Sequence, residues 1–271
     1  MQVVDLYPED VQLFQKQHRE NDYVLVDVRQ PEEYQTEHIP GALHIPLPRF
    51  EDRLDTLPRN RELLFYCRSG RRSATAAALA AQSGQNFKVL YNIQGGIAAW
   101  QGGIVFAVPR VERFDPAGGP ATALRQVAAL EKGAQRFYFA LAQQAGVPAE
   151  IQRLAVDLAE MEGRHAQRIY SMLGRFEDLP DFADFVAALP ATILEGGREV
   201  DEALARLNEN GKPNCLDFVE LALDIENRAY DVYKTIGFDE AFASDREMFL
   251  VLAEQEKGHL RALIKKLPEC V

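Results

Sequence analysis

Apolar positions recur along this chain with two different periods. Before residue 107 they come in short runs: Tyr23-Val24-Leu25-Val26-Asp27-Val28, Leu63-Leu64-Phe65-Tyr66 and Lys88-Val89-Leu90-Tyr91. Runs of this length, rich in β-branched and aromatic residues, read as buried strands. Helical stretches separate them. Pro31-Glu32-Glu33-Tyr34 opens a short helix with Pro at a tolerated first-turn position. Ser73 to Ala81 is alanine-rich and closes near Gly84, and a helix holding Trp100 follows Gly95-Gly96. His38-Ile39-Pro40-Gly41-Ala42 forms a turn that leads into a brief strand over 42–46. Strands alternating with helices predict a parallel α/β sheet.

From residue 121 onward the period becomes helical. Long amphipathic segments cover about 121–145, 149–174, 215–236 and 240–267, with stops at Gly146-Val147-Pro148, Gly174 and Gly237. The stretch 176–213 carries Pro180, Pro190, Gly196-Gly197 and Gly211, and predicts two short helices near 181–189 and 197–209. This is the pattern of an all-α four-helix bundle with a long crossover between its second and third helices. Residues 108–120, with Pro109, Asp115-Pro116, Gly118-Gly119 and Pro120, have the composition of a linker. The expected domains are therefore 1–107 and 121–271, joined by 108–120.

The helical part contains an internal repeat. Ala159-Glu160-Met161-Glu162-Gly163-Arg164-His165 returns as Ala253-Glu254-Gln255-Glu256-Lys257-Gly258-His259. Each copy carries Glu-x-x-His, and positions i and i+3 share one helix face about 4.5 Å apart along the axis. One carboxylate and one imidazole can then reach the same metal ion. Glu131 and Glu226 precede Glu162 and Glu256 by 31 and 30 residues, each on the preceding helix, and are the expected bridging carboxylates. Carboxylates cannot face inward between four helices unless something neutralises them, and metal ions do so. The predicted ligand set is Glu131, Glu162, His165, Glu226, Glu256 and His259. Tyr138 and Tyr233 are expected to pack at the bundle edge, with hydrogen bonding to the ligands as the other option. Glu160 and Glu254 are expected to face solvent, and Glu220 or Asp224 is a possible accessory ligand.

The order Glu, Glu-x-x-His, Glu, Glu-x-x-His resembles the ferritin-like di-metal carboxylate proteins, and within them the rubrerythrins, over about 121–268. The resemblance implies a ferritin-like bundle holding two iron ions, manganese or zinc being possible, in a hard, oxygen-rich site. Some rubrerythrins carry a further Glu three residues after the ligand of helix three; that position is Ala229 here. Rubrerythrins proper also carry two Cys-x-x-Cys pairs, which this chain lacks, so electrons have to come from an external donor.

In the first domain the chemistry sits at Cys67-Arg68-Ser69-Gly70-Arg71-Arg72-Ser73. A cysteine ends a strand, a loop follows, and a helix begins. Loop N–H groups, the helix N-terminus and three arginines should favour the thiolate, the reactive form. With Asp27-Val28-Arg29, Glu33-Tyr34, His38-Ile39-Pro40-Gly41-Ala42 and Gly95-Gly96 before Trp100, this stretch resembles a single-domain rhodanese over about 5–107. The resemblance implies a sulfurtransferase whose persulfide forms on Cys67, with Arg68, Ser69, Gly70, Arg71 and Arg72 as the active-site loop and Asp27 and Arg29 in support. Four residues separate Cys67 from Arg72, one fewer than in related phosphatases, which argues for sulfur rather than phosphate chemistry. The implied partners are an anionic sulfur donor such as thiosulfate and a thiophilic acceptor.

Charge and cysteine usage narrow the context. The formal net charge of −11 is uneven: residues 1–120 carry −2 and residues 121–271 carry −9. No basic face points to nucleic acid, and an acidic bundle suits cations. No apolar run spans a membrane and no signal-peptide pattern opens the chain. Three widely spaced cysteines predict no disulfide framework, and Cys215 and Cys270 receive no role. The expectation is a cytoplasmic protein, a homodimer, that joins sulfur transfer to di-iron peroxidase- or ferroxidase-type chemistry. The alternative is a non-catalytic iron- or zinc-binding sensor whose rhodanese domain binds a partner.

Overall fold

A computed structural model describes residues 2–106, 118–209, 211, 213–239 and 242–270. Most of the expected linker, from 108 through 117, lies outside the described residues. The chain forms two compact units: Met1–Pro109 with Tyr230–Glu254, and Arg110–Ala229 with Gln255–Val271.

The first unit is built on β1 (Val3–Leu6), α1 (Pro8–Gln17), β2 (Tyr23–Asp27), α2 (Pro31–Thr36), β3 (Glu37–His38), β4 (Leu43–His44), β5 (Glu62–Tyr66), α3 (Arg71–Gln82), β6 (Val89–Ile93) and β7 (Val105–Phe106). Five strands form a parallel sheet in the order β1-β6-β5-β2-β4, and β3 pairs antiparallel with β7. Every residue of β2 is buried, which explains its unbroken apolar run: a parallel strand covered on both faces has no polar side to show. Alanines 76, 77 and 80 are fully buried on α3 and let that helix lie close to the sheet. Asp27 pairs in register with Tyr66, so the carboxyl ends of β2 and β5 are neighbours. Open α/β sheets bind ligands along that edge.

The expected helix around Trp100 is only a 3₁₀ turn, Gly96–Ala99, and Trp100 itself is extended. Gly95 and Gly96 take positive φ, and an indole N–H bond to the Gly103 carbonyl at 3.0 Å holds Trp100 outside the turn.

Tyr230–Glu254 packs with the sheet through buried polar contacts. Glu20 Oε2 accepts from Lys234 Nζ at 2.8 Å and from the Tyr230 hydroxyl at 2.6 Å, while Oε1 accepts from Tyr23 at 2.8 Å. Asp231 accepts the Gly41 N–H at 2.7 Å and faces His38 Nε2 at 3.0 Å. His38 thus fixes its turn, as expected, and also binds a carboxylate far along the chain. Glu254, expected to face solvent, accepts the Glu20 N–H at 2.9 Å.

The second unit contains α4 (Gly119–Gln143), α5 (Ala149–Leu173), α6 (Phe182–Ala188), α7 (Val200–Asn208), the first part of α8 (Cys215–Phe238) and the last part of α9 (Arg246–Lys266). On α4, Leu124, Val127, Ala128, Glu131, Ala134, Phe137, Tyr138 and Leu141 are buried, at the three- and four-residue spacing of a core-facing stripe. The short helices α6 and α7 match those expected within 176–213. One expectation fails. Cys215 and Cys270 form a disulfide, with Cα atoms 5.1 Å apart. Cys215 opens α8 and Cys270 follows the end of α9, so these two helix ends meet although 55 residues separate them.

Candidate functional site

Cys67 follows the last residue of β5 and is 1% exposed. The Gly70 N–H reaches its Sγ at 3.2 Å, and the Ser73 hydroxyl lies 3.6 Å away. Burial pushes the thiol up, but the Ser73 N–H and hydroxyl and the N–H groups of Ser69 and Gly70 outweigh it, so the net shift is downward. The cradle depends on glycine. Gly70 caps α3 at a φ of 91°. A Cβ on Gly96 would meet the Cys67 carbonyl oxygen at 2.2 Å, so only glycine lets the following turn lie against the loop. Ile97 and Ala98 then donate N–H bonds to the Cys67 and Arg68 carbonyls at 2.9 and 3.0 Å.

The three arginines divide. Arg68 and Arg71 are exposed, as is Ser69. Arg72 forms a two-point pair with Glu33 at 2.6 and 2.8 Å, which raises its own pKa and holds the Glu33 carboxyl down at about 2. Asp27 and Arg29 form a buried pair with three side-chain hydrogen bonds of 2.7–3.0 Å. Arg29 also donates to the Glu37 carbonyl and lies over the Tyr66 ring at 5.6 Å. The pair thus braces the strand ends beside Cys67.

In the second unit the six predicted ligands converge. Glu131, Glu162, His165, Glu226, Glu256 and His259 are each at most 3% exposed. His165 Nδ1 faces Glu131 Oε2 at 3.2 Å, Glu256 Oε1 at 3.0 Å and Glu162 Oε2 at 3.7 Å. His259 Nδ1 faces Glu226 Oε2 at 2.8 Å, Glu256 Oε2 at 3.1 Å and Glu162 Oε1 at 3.7 Å. The arrangement is two-fold. Each of Glu162 and Glu256 turns one oxygen to either histidine, whereas Glu131 and Glu226 each serve one. The carboxylates shared between two positions are therefore those of the Glu-x-x-His pairs, not Glu131 and Glu226 as the sequence suggested.

These residues fit two metal ions. Three overlapping ligand groups each hold their donor atoms within 4.8 Å of one another: Glu162, His165 and His259; Glu131, His165 and Glu256; Glu226, Glu256 and His259. Both Glu256 oxygens are buried without a hydrogen bond of acceptable geometry, though each lies near an imidazole. The charges are just as unfavourable without cations. Burial and the charges of Glu226 and Glu131 push Glu162 well up. Burial opposes a charged His165 and His259, but Glu256 with Glu131, and Glu226 with Glu256, overcome it; His259 is pushed up to about 10. Protons thus hold together in the apoprotein what cations would hold in the loaded one.

Neighbouring residues separate in role. Tyr138, expected to be packing, donates to Glu226 Oε1 at 2.6 Å. Asp224 is taken by Arg228 at 3.0 Å and Arg198 at 3.4 Å, and Glu220 and Glu160 are exposed. Glu195, which sequence reasoning passed over, is 3% exposed in the α6–α7 connection and leaves Oε2 without a hydrogen-bond partner. Its only signal in the sequence is the Gly196-Gly197 pair behind it.

Comparison with known proteins agrees with both halves. A Rhodanese-like domain model matches residues 10–102 and a Rubrerythrin model residues 123–267. A sulfurtransferase of Allochromatium vinosum is 43% identical over 79 residues, covering 29% of this chain and 72% of that protein. A putative sulfur carrier protein of Bacillus subtilis is 44% identical over 78 residues; the match covers 29% of this chain and only 41% of that protein. Among solved structures, a rhodanese-like domain protein from Staphylococcus aureus is 26% identical with a TM-score of 0.33, covering 36% of this chain and 90% of its own. Since the Rubrerythrin match spans more than half of the 271 residues, the chain belongs to the rubrerythrin family and carries a rhodanese-like domain ahead of its helical region.

Proposed function

We propose that this protein is a sulfurtransferase joined to a non-haem di-iron centre. The observation that carries the first half is the N–H cradle at Cys67, which favours the thiolate inside a buried site. The Cys67 thiolate attacks the outer sulfur of an anionic donor such as thiosulfate. The donor's S–S bond breaks, and sulfite leaves with the bonding electron pair. The new persulfide ends in an anionic sulfur that the loop N–H groups can hold. A thiophilic acceptor then takes that sulfur, and Cys67 leaves as the thiolate. Arg68 and Arg71, exposed at the loop, draw the anionic donor in.

For the second half, the supporting observation is the two-fold set of four carboxylates and two imidazoles, with each Glu256 oxygen turned to one imidazole. A hard, oxygen-rich donor set suits iron, with manganese or zinc as the competing occupants. Bound iron supplies redox chemistry toward peroxide or toward Fe(II) itself. The chain's own residues bury the site, and Tyr138 orients Glu226. Electrons come from an external donor. The reading places the protein in the cytoplasm as a homodimer. Among the described residues no helix is long and apolar enough to cross a membrane. The Cys215–Cys270 bond bears against a uniformly reducing compartment, and thiol trapping in cell extract decides that point.

The test is elemental analysis of protein purified without added metal, followed by thiosulfate turnover. About two irons per chain and a Cys67→Ser variant that loses sulfur transfer with unchanged metal would support the reading. No metal after anaerobic Fe(II) loading would end the di-iron half. Failure of Cys67 to take sulfur from thiosulfate would leave the non-catalytic sensor as the better account.

A further inference from the structure

One buried residue of the first unit interrupts the apolar sheet face beneath α3. Along β6, side chains alternate between the two faces of the sheet. Leu90 packs with Ala76, Ala77 and Ala80 of α3, whereas Tyr91 and Ile93 belong to the opposite face. Asn92 therefore shares the side of Leu90, and it is only 1% exposed. Burying an amide there is unfavourable unless its groups are bonded. Both are. Asn92 Nδ2 donates to Asp5 Oδ1 at 3.0 Å, and Asn92 Oδ1 accepts the Ser73 hydroxyl at 2.7 Å. Asp5 lies directly opposite Asn92 in the β1–β6 register and is exposed.

Asp5 decides which way the amide faces. An ionised carboxylate only accepts, so Nδ2 turns to it and Oδ1 is left for Ser73. The Ser73 hydroxyl has one proton, and Cys67 Sγ competes for it from 3.6 Å. While the sulfur is uncharged, the shorter bond to Asn92 wins. A thiolate reverses the preference, because a hydrogen bond to an ionised acceptor is roughly twice as strong. The hydroxyl then swings to Sγ and leaves Asn92 Oδ1 buried and unpaired. In a persulfide the charge sits on the outer sulfur, Sγ is neutral again, and the hydroxyl returns to Asn92. We propose that Asn92 is a positioning residue: it draws the Ser73 hydroxyl off the Cys67 sulfur and so favours the persulfide over the free thiolate. This rests on the sulfurtransferase reading above. In the step it biases, the Cys67 thiolate and thiosulfate give the persulfide anion and sulfite. The S–S electron pair leaves with sulfite, and no proton enters or leaves.

The test is the pH midpoint of Cys67 alkylation by iodoacetamide in full-length Asn92→Leu, which removes the acceptor at similar size. The released hydroxyl serves the sulfur throughout, so the midpoint should fall by about 0.7 unit, a roughly fivefold larger thiolate fraction. A residue that only packs would act the other way, since loosening the cradle lets the lowered thiol rise toward its ordinary value. In a Ser73→Ala background the same substitution should move nothing. A midpoint that rises, stays, or falls equally in both backgrounds would overturn the proposal. Asn92→Ala repeats the comparison with a side chain too small to crowd α3. Wild type gives a check that leaves Asn92 in place: with the Ser73 proton on Asn92, the Cys67 thiol donates to Ser73 Oγ. Its S–H stretch, specific to the free cysteine among the described residues, should be shifted by hydrogen bonding and lose that shift in Ser73→Ala. An unshifted wild-type band would overturn the proposal. At one fixed ratio of thiosulfate to sulfite, Asn92→Leu should hold about fivefold less persulfide relative to thiolate, and an unchanged ratio would also overturn it. Wild type that takes no sulfur from thiosulfate would end the sulfurtransferase reading and the persulfide bias with it, while the alkylation midpoints still decide whether Asn92 acts through Ser73.

Discussion

Replacing Ser73 with Ala isolates one donor to the Cys67 sulfur. The Ser73 hydroxyl lies 3.6 Å from Sγ and 2.7 Å from Asn92 Oδ1. It has one proton, so in the thiol state it serves Asn92, and on ionisation it can turn toward the sulfur. The Ser73 N–H and the Gly70 N–H, at 3.2 Å, survive the change. A long contact to a charged sulfur is worth about 1 kcal/mol, near the ordinary value for a hydrogen bond. At 1.36 kcal/mol per pKa unit the thiol should rise by about 0.7 unit, a roughly fivefold smaller thiolate fraction below its pKa. The assay is the rate of iodoacetamide labelling against pH. Cys67 is the free cysteine among the described residues, so the signal is specific. Ser73→Thr keeps the hydroxyl and should keep the wild-type midpoint. If Ser73→Ala leaves the midpoint where it was, the hydroxyl does not stabilise the thiolate, and the backbone donors alone account for the shift.

Other perturbations bear on the helical unit. Gly133→Ala forces a Cβ onto the Ile193 carbonyl and should cost about 1–3 kcal/mol in urea unfolding; an unchanged midpoint would mean the connection shifts freely. Tyr138→Phe leaves Glu226 without its 2.6 Å donor and should cost about 1.5–3 kcal/mol in the metal-free protein, the range for bonds to charged groups. Metal removal should destabilise the protein more as pH rises from about 6.5, the unfolded histidine value, through the folded value of about 10 for His259. The sign follows from raised folded pKa values at His165, His259 and Glu162: their stabilising protons are present at lower pH and lost as pH rises, whereas metal binding needs the deprotonated ligands. A gap in Tm between loaded and stripped protein that narrows with pH would contradict this. Replacing both Cys215 and Cys270 with Ser should lower stability by about 2–4 kcal/mol through the loop they close, with metal content unchanged; loss of metal would tie the bond to the site.

What the sequence reveals and what it hides follows from the range of each interaction. Glu162 with His165, and Glu256 with His259, are legible because helical spacing alone puts each pair on one face. Their sharing of two positions is not, since it depends on how the four helices turn toward one another. Glu195 sits in an irregular connection without any period to betray it. Tyr138 and Glu226 are 88 residues apart, and Cys215 and Cys270 55, so no local pattern joins them. The Cys67 loop was readable as a cradle, but the weight given to its arginines shifts. Arg72 divides its charge between Glu33 and Cys67, and the N–H groups of Ser69, Gly70 and Ser73 with the Ser73 hydroxyl lower the thiol. Charged Glu20 and Lys234 belong to no motif in the sequence and are buried together in the fold.

The place where α8 passes from one compact unit to the other decides how the gene can be cut. An excision that keeps only the first stretch of the unit, residues 1–109, would discard Tyr230–Glu254. Glu20 would lose Lys234 and Tyr230, and His38 and the Gly41 N–H would lose Asp231. Stripping one partner from a buried ion pair costs about 3–5 kcal/mol, a large share of a small domain's stability. A truncated rhodanese-like module would therefore be expected to express as a weakened or insoluble protein. Its inactivity would reflect the missing helix rather than the chemistry of Cys67.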